Sequence, residues 1–521
     1  MKKDGKYRII YNCDCTEGFR RYPSPMTVDQ LGMVVDEVSG RQVDAYCWSP
    51  NAGDMIVFYR SRVAEIYGAD VSPDTDIYTE TLHSLLKQGL DPMEITCRQV
   101  REKGMDFFAS VRMNDTHHKS DQEGLLASRF WRKHPEYRLW EVTAGENYYN
   151  ASLDFSHPAV RERRLAVIEE LVNNYDVDGI EIDFGRGPNI FNPSEAWAKR
   201  GIATGFMKDI RSLVRQEGKR KGRLLKIIVR TPFYPSGDRH VRYKFGADGM
   251  DLKTWMEESL ADIFVLSPLR GNDYNLSIRE WQKIARSSGV LLYPGIEAWL
   301  LFNAPACNHG SFGIYSSPAE IRGMAQNYLA QGADGIYFFN YPCLLTPALF
   351  SSPRLYREYR DILGEAGTTA GLAGRNKSYL FYEHCPVELE VGRPAECHQS
   401  IPFTVREPEL AQRRGRWEIE FKITGFPDRK TFRVLLNGKK VAPGLVSWRR
   451  DWAGIKSGGV AVNDLRSGYN LGPYYEVVTV RPPAGWIADG ANTIGFFMGK
   501  GPLVEHTYIR VYELEVHSIP G

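Results

Sequence analysis

The feature of this sequence that most limits its fold is a regular alternation of short apolar runs with amphipathic segments, which continues to about residue 365. The amphipathic segments carry apolar residues at helical spacing, as in Val160–Tyr175, whereas the apolar runs are short and rich in β-branched and aromatic residues. Eight of these runs predict strands: Tyr7–Cys13, Val43–Trp48, Met105–Met113, Asp178–Phe184, Leu224–Thr231, Asp262–Leu266, Val290–Ile296 and Asp334–Asn340. Eight β/α units that close into a ring form a (β/α)8 TIM barrel, so we predict this α/β fold for residues 1–365.

The pattern changes after the last of these units. Residues 366–376 are rich in glycine, alanine and threonine, which predicts a linker. Short alternating strands follow from residue 377 to 521, and the pairs Asn437-Gly438 and Asp489-Gly490 between them are typical of hairpin turns. We therefore predict a smaller all-β sandwich domain that is accessory to a catalytic barrel. Two domains also fit the length, because 521 residues exceed what one hydrophobic core usually serves.

The charge balance disfavours several classes of partner. The chain has 66 Lys+Arg and 64 Asp+Glu, a net charge of +2, so it lacks the overall field that attracts nucleic acid or anionic membranes. No apolar run is long enough to span a membrane, and no signal peptide is visible at the N-terminus, although a removed leader would leave the same pattern. The 8 cysteines lack zinc-ribbon or disulfide-framework spacing, and Cys13 and Cys15 are expected to be core thiols. We expect a cytoplasmic protein without a cofactor.

The end of predicted strand four carries two acidic residues with one residue between them. Because side chains alternate along a strand, Glu181 and Asp183 share one face, which in a barrel faces the axis. Catalytic groups of TIM barrels lie at the carboxyl ends of the strands, so Asp183, nearer that end, is the better-placed reactive group. The alternative is a structural carboxylate that holds Arg186 or a loop amide.

The end of predicted strand seven supplies a further carboxylate. Glu297 comes directly after this run, and Trp299 follows two residues later with an indole that could stack on a sugar ring. Two opposed carboxyl groups are what cleavage of a glycosidic bond requires. The alternative for Glu297 is a salt bridge with an arginine at the rim.

Further polar residues follow the ends of other predicted strands. We expect them to bind sugar hydroxyls or to support the carboxylates, although those after strand three could equally be a polar surface loop. They are Arg112, Asn114, Asp115 and His117 after strand three, Arg186 after strand four, Asn340 at the end of strand eight and Trp48 at the end of strand two.

Several phrases of this sequence are similar to a known family. His134-Pro-Glu136 is followed by Asp-Phe-Ser-His-Pro-Ala-Val-Arg from residue 154, by Tyr-Asp-Val-Asp-Gly-Ile-Glu-Ile-Asp ending at Asp183, and by Gly-Ala-Asp-Gly-Ile-Tyr-Phe-Phe-Asn ending at Asn340. The barrel region thereby resembles the bacterial family-10-like glycosyl hydrolases, which implies a TIM-barrel glycosidase. The C-terminal strands resemble the accessory β-domains that many glycosidases carry.

The strand-four motif is also similar to the Asp-Gly-x-Asp-x-Asp-x-Glu signature of family 18 chitinases, with two departures. Glu181 stands in place of the first inner aspartate, and Gly185 stands in place of the catalytic acid. The glycine argues against a chitinase-type substrate-assisted mechanism. It moves the expectation onto Asp183 and Glu297, in an arrangement similar to other barrels that use an aspartate at the end of strand four.

These observations predict a glycoside hydrolase that acts on a glycoside, an oligosaccharide or a polysaccharide. Asp183 would be the nucleophile or base and Glu297 the general acid/base, with Glu181 beside them. One alternative is a metal-dependent lyase or isomerase, in which Asp115, His117, Glu181 and Asp183 converge on an ion. Another is a non-catalytic barrel that binds glycans.

Overall fold

The structure is a computed structural model. It describes residues 5–22, 24–118, 121, 123–140, 151–233, 249–268, 272–274, 276–301, 313–345, 353–381, 387–390, 397–407, 416–425, 429–452, 455–456, 460–461, 474–499 and 508–520.

Eight parallel strands form a closed barrel, which confirms the predicted fold class. They are β1 (Ile9–Asp14), β2 (Val43–Ser49), β3 (Asp106–Arg112), β4 (Gly179–Asp183), β5 (Lys226–Pro232), β6 (Ile263–Ser267), β7 (Leu291–Glu297) and β8 (Ile336–Phe339). Each strand pairs with its neighbours in chain order, and β8 pairs with β1 to close the ring.

Helices fill most of the connections between the barrel strands. The longer ones are α1 (Val28–Asp36), α2 (Ile77–Lys87), α3 (Pro92–Glu102), α4 (Pro158–Asn174), α5 (Ala196–Arg220), α6 (Leu252–Glu257), α7 (Arg279–Ser288), α8 (Pro318–Ala330) and α9 (Pro353–Ile362). Short helices lie at Thr16–Phe19, Arg129–Lys133 and Thr369–Leu372. No helix in the described part of the chain is long and apolar enough to cross a membrane.

The barrel interior is apolar in its lower layers. Tyr7, Ile10, Cys47, Phe108 and Tyr337 belong to one buried cluster there. Burial of such side chains stabilises the fold by about 1.5–3 kcal/mol each. Polar residues replace the apolar ones toward the carboxyl ends of the strands. Packing alone does not explain why these residue types occupy the upper layers of the barrel interior.

Apart from a short antiparallel pair, Ile455–Lys456 with Val460–Ala461, the described C-terminal strands form two antiparallel sheets, as in the predicted sandwich. They are β9 (Lys377–Phe381), β10 (Val387–Glu390), β11 (Cys397–Val405), β12 (Arg416–Thr424), β13 (Phe432–Leu436), β14 (Lys439–Lys440), β15 (Val446–Trp452), β16 (Tyr474–Val480), β17 (Gly490–Met498) and β18 (Tyr508–Ile519). One sheet has the order β9-β18-β12-β16-β15 with β10 also paired to β18, and the other has the order β11-β17-β13-β14. Phe421 and Phe496, one from each sheet, lie 4.9 Å apart between ring centroids.

The predicted Asn437-Gly438 turn is confirmed. Asn437 has φ 50° and Gly438 has φ 76°, the left-handed pair that a two-residue hairpin requires between β13 and β14.

The chain divides into two compact units. The first comprises Met1–Leu269, Ile278–Ala298 and Gly332–Gly367, and the second Arg270–Ser277, Trp299–Gln331 and Thr368–Gly521. Helix α8 thus belongs to the unit that contains the sheets, which the alternation in the sequence does not reveal. Within residues 366–376, Ala366 and Leu372 are fully buried, so part of this segment is packed.

Candidate active site at the barrel mouth

Polar side chains meet at the carboxyl ends of the barrel strands. Parallel pairing sets Arg112 beside Asp183 and Asp183 beside Arg230, on β3, β4 and β5. Alternation along each strand turns these side chains to the same inner face, as predicted for Glu181 and Asp183. We call the upper group of residues the mouth: Asp14, Arg112, Asp115, His117, Arg186, Glu297 and Asn340.

Asp183 is occupied by protein partners. Arg230 donates hydrogen bonds from Nη1 to both carboxylate oxygens, at 2.9 and 3.1 Å, and the Gly185 N–H donates to Oδ1 at 2.8 Å. Both side chains of the ion pair are 0% exposed. Asp183 therefore has the contacts of a structural carboxylate, the alternative considered above. It binds Arg230 instead of Arg186, and it also binds a loop amide, that of Gly185.

Glu181 lies one layer deeper and is fully buried. Its carboxylate accepts hydrogen bonds from the Tyr337 hydroxyl at 2.6 Å and from the Asn12 amide at 2.9 Å. Burial, and after it the charge of Asp183, raises the pKa of Glu181. Glu181 thus lies beneath the arginine-bound Asp183 and supports the mouth from below.

Arg112 joins two carboxylates on the other side of the mouth. It donates to Asp14, which ends β1, and to Asp115 at 3.2 Å, and its own side chain is buried. Burial opposes ionisation of Asp14, but the guanidinium groups of Arg112 and Arg186 outweigh it and hold the pKa of Asp14 below its usual value. The Asp14 side chain is 29% exposed, in contrast to the buried Asp183.

Asp115 also contacts His117. The carboxylate meets His117 Nδ1, and the His117 backbone N–H donates to it at 3.1 Å. Although burial acts in the opposite direction, the charges of His117 and Arg112 lower the pKa of Asp115. The His117 side chain is 45% exposed, so this imidazole is held from one side and reaches solvent on the other.

Glu297 and Arg186 are joined through Asn340. The Asn340 amide donates to Glu297 at 2.8 Å, and its carbonyl oxygen accepts from Arg186 at 2.9 Å. Asn340 holds this position with φ 55°, a left-handed conformation that asparagine tolerates better than most residues. The Arg186 guanidinium stacks on Phe339 at 4.6 Å, and that of Arg230 lies 3.5 Å from the same ring centroid.

Three carboxylates interact with Arg186. Burial and the neighbouring Arg112 lower the pKa of Arg186, and the charges of Asp14, Asp115 and Glu297 oppose this change. Hydrogen bonds thus join Glu297 to Arg186 through Asn340, and they join Asp115 to Arg112 and His117. That these residues act on a substrate stays a prediction.

Asn114 holds the loops after β3 and β4. Its amide donates to the carbonyl oxygens of Leu153 at 2.9 Å and Asn189 at 2.6 Å, and its oxygen accepts from the Leu153 N–H at 3.0 Å. The side chain is 2% exposed and bonds to loop backbone, so it supports the mouth, and its predicted binding of a sugar stays a prediction.

Trp48 lies away from the mouth, and its prediction as a rim residue is corrected here. Its neighbour Cys47 points into the barrel interior, so alternation turns Trp48 toward the helix layer, where it is 2% exposed. Trp299 begins a short strand, Trp299–Leu301, and its side chain lies outside the described residues.

Asp14 is a mouth residue that the predicted strand bounds leave out. The predicted first strand ends at Cys13, one residue before the observed end, and the neighbouring cysteines are predicted as core thiols. Alternation from the buried Ile10 through Asn12 would have placed Asp14 on the inner face at the strand end.

The ligand set suggested for a metal-dependent enzyme does not converge. Asp115 contacts His117 and Arg112, whereas Asp183 binds Arg230 and Glu181 lies below it. Among the described residues, one group with metal-binding geometry occurs, and it lies in the C-terminal sheets.

Comparisons with known proteins find solved structures of distant similarity. No protein-family model matches the sequence, and no curated protein matches it. A cycloisomaltooligosaccharide glucanotransferase from Paenibacillus sp., solved with cycloisomaltoheptaose, aligns with TM-score 0.33 and 10% identity over 98% of this chain and 57% of its own. The glycoside hydrolase domain of PgaB (BpsB) from Bordetella bronchiseptica aligns with TM-score 0.39 and 13% identity over 69% of this chain and 99% of its own.

An α-L-fucosidase from a Vibrio species aligns with TM-score 0.36 and 10% identity over 98% of this chain and 96% of its own. This chain spans 57% of the length of the glucanotransferase. Of these neighbours, the PgaB domain is named a glycoside hydrolase domain, and the family-10-like assignment of this chain stays a prediction. At these TM-scores the likeness carries no argument about activity, which depends on the site.

Proposed function

We propose that this chain is a glycoside hydrolase and that its reaction takes place between Asp14 and Glu297 at the mouth. The observation that carries the proposal is geometric: the Glu297 carboxylate at the end of β7 is joined to Arg186 through Asn340, and the Asp14 carboxylate at the end of β1 is held by Arg112. The charges of both carboxylates act on Arg186. Hydrolysis of a glycosidic bond requires two carboxyl groups at one site, one to donate a proton and one to attack or to activate water.

The surroundings of the two groups suggest their roles. Asp14 is held ionised by Arg112 and is partly exposed, which suits a nucleophile or a base. Glu297 accepts a hydrogen bond from the neutral amide of Asn340, which suits a proton donor. Arg186 and Asn340 between them offer donors and an acceptor to sugar hydroxyls.

Asp183 then serves as a positioning residue. Its carboxylate holds the Arg230 guanidinium over the Phe339 ring, on which the Arg186 guanidinium also stacks. This role replaces the nucleophile role expected from the sequence, because a carboxylate bound by Arg230 and a loop amide is a poor nucleophile.

Access to Glu297 requires a rearrangement. Its side chain is 0% exposed and accepts a hydrogen bond from Asn340, which in turn accepts one from Arg186. A substrate hydroxyl could replace the Asn340 oxygen as the hydrogen-bond partner of Arg186. The Asn340 side chain could then move away from Glu297. The proposal therefore includes a shift of the Asn340 side chain on binding.

The test is turnover of a panel of aryl glycosides and oligosaccharides by the wild type, D14N, E297Q and D183N. We expect D14N and E297Q to lower kcat by about 10²–10⁴-fold, the usual contribution of a proton-transfer group, and D183N to lower it less. E280Q, an exposed carboxylate on α7 with 76% of its side chain exposed, is the control.

Full turnover by D14N, with loss of activity in D183N, would instead favour the assignment made from the sequence. Binding across the panel without hydrolysis would support a glycan-binding barrel. For an active enzyme, the anomer of the first product reports the separation of the two carboxyl groups, about 5–5.5 Å for retention and about 6.5–9.5 Å for inversion.

One observation favours a second candidate function. The Asp115–His117 contact holds an exposed imidazole in the way that general acid–base catalysts are held, which suits a lyase or isomerase that moves a proton on a sugar-like substrate. H117Q separates the two functions, because it should abolish proton exchange in a lyase or isomerase and should spare hydrolysis by Asp14 and Glu297.

A further inference from the structure

The sheet that contains β12 and β18 carries a compact cluster of side chains far along the chain from the mouth residues. Glu420 on β12 and Glu515 and His517 on β18 each offer one ligand atom, and these atoms all lie within 4.8 Å of one another. We infer that these three side chains form a binding site for a divalent transition-metal ion, with Zn²⁺ as the representative ligand.

The geometry is close to that of a metal site. His517 Nε2 lies 3.9 Å from Glu420 Oε2 and 3.8 Å from Glu515 Oε2. In a tetrahedral zinc site with metal–ligand bonds of about 2.0–2.2 Å, neighbouring ligand atoms are about 3.4 Å apart. Small side-chain rotations are therefore enough to place an ion between the three atoms.

The strand pairing places like charges opposite each other. Glu420 is the direct cross-strand partner of Glu515 in the antiparallel pair of β12 and β18. Like charges at opposed positions destabilise a sheet, because their Cβ atoms lie close together. A divalent cation bound by both carboxylates neutralises their charges and so removes this repulsion.

The remaining polar groups around the cluster orient the ligands. Ser378 on β9 contacts His517 Nδ1 at 3.0 Å, and a proton on Nδ1 leaves Nε2 with the lone pair that a metal needs. The Thr479 hydroxyl on β16 donates to Glu420 at 2.9 Å, as outer residues commonly do to ligating carboxylates. Four neighbouring strands thus support one small site.

The site is accessible and has room for solvent ligands. The side chains of Glu420, Glu515 and His517 are 36%, 32% and 26% exposed. Three protein ligands leave at least one coordination position for water. A mixed set of imidazole nitrogen and carboxylate oxygens favours Zn²⁺ and related ions over alkaline-earth ions, which prefer oxygen alone.

The test is a zinc titration of tag-free, chelator-treated full-length protein, followed by calorimetry and by thermal unfolding. We expect the wild type to bind about one equivalent at this site and E515Q to bind it at least about tenfold more weakly. E388Q is the matched control, because Glu388 lies on β10, pairs with Arg510 and is 47% exposed.

Thermal unfolding gives a readout that is independent of catalysis. Without metal, E515Q should be at least as stable as the wild type, because the opposed charges are removed, and zinc should raise the Tm of the wild type and of E388Q but not of E515Q. H517Q should also lose the rise in Tm with zinc. If H517Q does not fold, E515Q alone provides the test. Absence of zinc binding by the wild type, or equal binding by the wild type and E515Q, would overturn the inference.

Discussion

Arg230 donates two hydrogen bonds to Asp183, at 2.9 and 3.1 Å, and neither side chain is exposed. The acidic residue nearest the mouth on β4 is therefore held by the strand beside it. This pairing makes Asp183 and Arg230 part of the framework, and it is the reason why we propose Asp14 for the reactive role.

R230M should destabilise the protein by about 3–5 kcal/mol, because it leaves an ionised Asp183 buried without its partner. The double variant D183N/R230M should lose less than the sum of the two single variants, because no unpaired charge remains. Urea unfolding measures both, with E280Q as a control expected to lie within about 0.5 kcal/mol of the wild type. A loss below about 1 kcal/mol for R230M would contradict this account of the pair.

E181Q should change how stability depends on pH. The pKa of Glu181 is raised in the folded state, so below its ordinary value of 4.5 both states are protonated and its contribution is fully present. As the pH rises above 4.5 the unfolded state ionises first, and this contribution is lost until the folded pKa is reached. E181Q lacks this loss, so its stability relative to wild type should rise with pH above that value.

Denaturant unfolding at a series of pH values between about 4 and 8 checks this expectation. A difference between E181Q and wild type that does not vary with pH would mean that Glu181 titrates alike in both states.

G187A should be much more destabilising than G222A. Both glycines have positive φ, 81° and 66°, so both substitutions introduce backbone strain of about 1 kcal/mol. A Cβ at Gly187 would lie 1.7 Å from the Asn114 carbonyl oxygen, whereas a Cβ at Gly222 meets nothing within 4 Å. We expect an additional loss of about 1–3 kcal/mol for G187A in thermal unfolding. Equal losses would show that the contact at Gly187 relaxes freely.

Two substitutions of Asn340 separate the effect of its backbone conformation from the effect of its side-chain hydrogen bonds. N340G keeps the left-handed conformation but loses the bonds to Glu297 and Arg186, whereas N340A loses the bonds and is strained as well. N340A should be less stable than N340G by about 1 kcal/mol, and both should lower kcat to a similar degree. A fully active N340G would remove Asn340 from the proposed machinery.

The strand and helix pattern was accessible from the sequence because it depends on local periodicity. All eight barrel strands occur within a few residues of their predicted bounds, and the inner faces of β4 and β7 follow from alternation alone. The closed ring and the carboxyl-end position of the site follow from the same pattern.

The partners within the site were not accessible, because they depend on neighbouring strands. Arg186 is three residues from Asp183 in the sequence, yet the arginine that binds Asp183 is Arg230, 47 residues away, which parallel pairing sets beside it. The grouping of α8 with the C-terminal sheets is equally invisible to a pattern that records only order along the chain.

Gly185 gives the Arg230 side chain its room. A Cβ at this position would lie 2.6 Å from the Arg230 guanidinium, which Asp183 holds in place. A bulkier residue at 185 therefore requires the Arg230 guanidinium to leave this position. Among natural variants of this sequence, we expect a larger side chain at 185 mainly in chains that carry a smaller residue than arginine at 230.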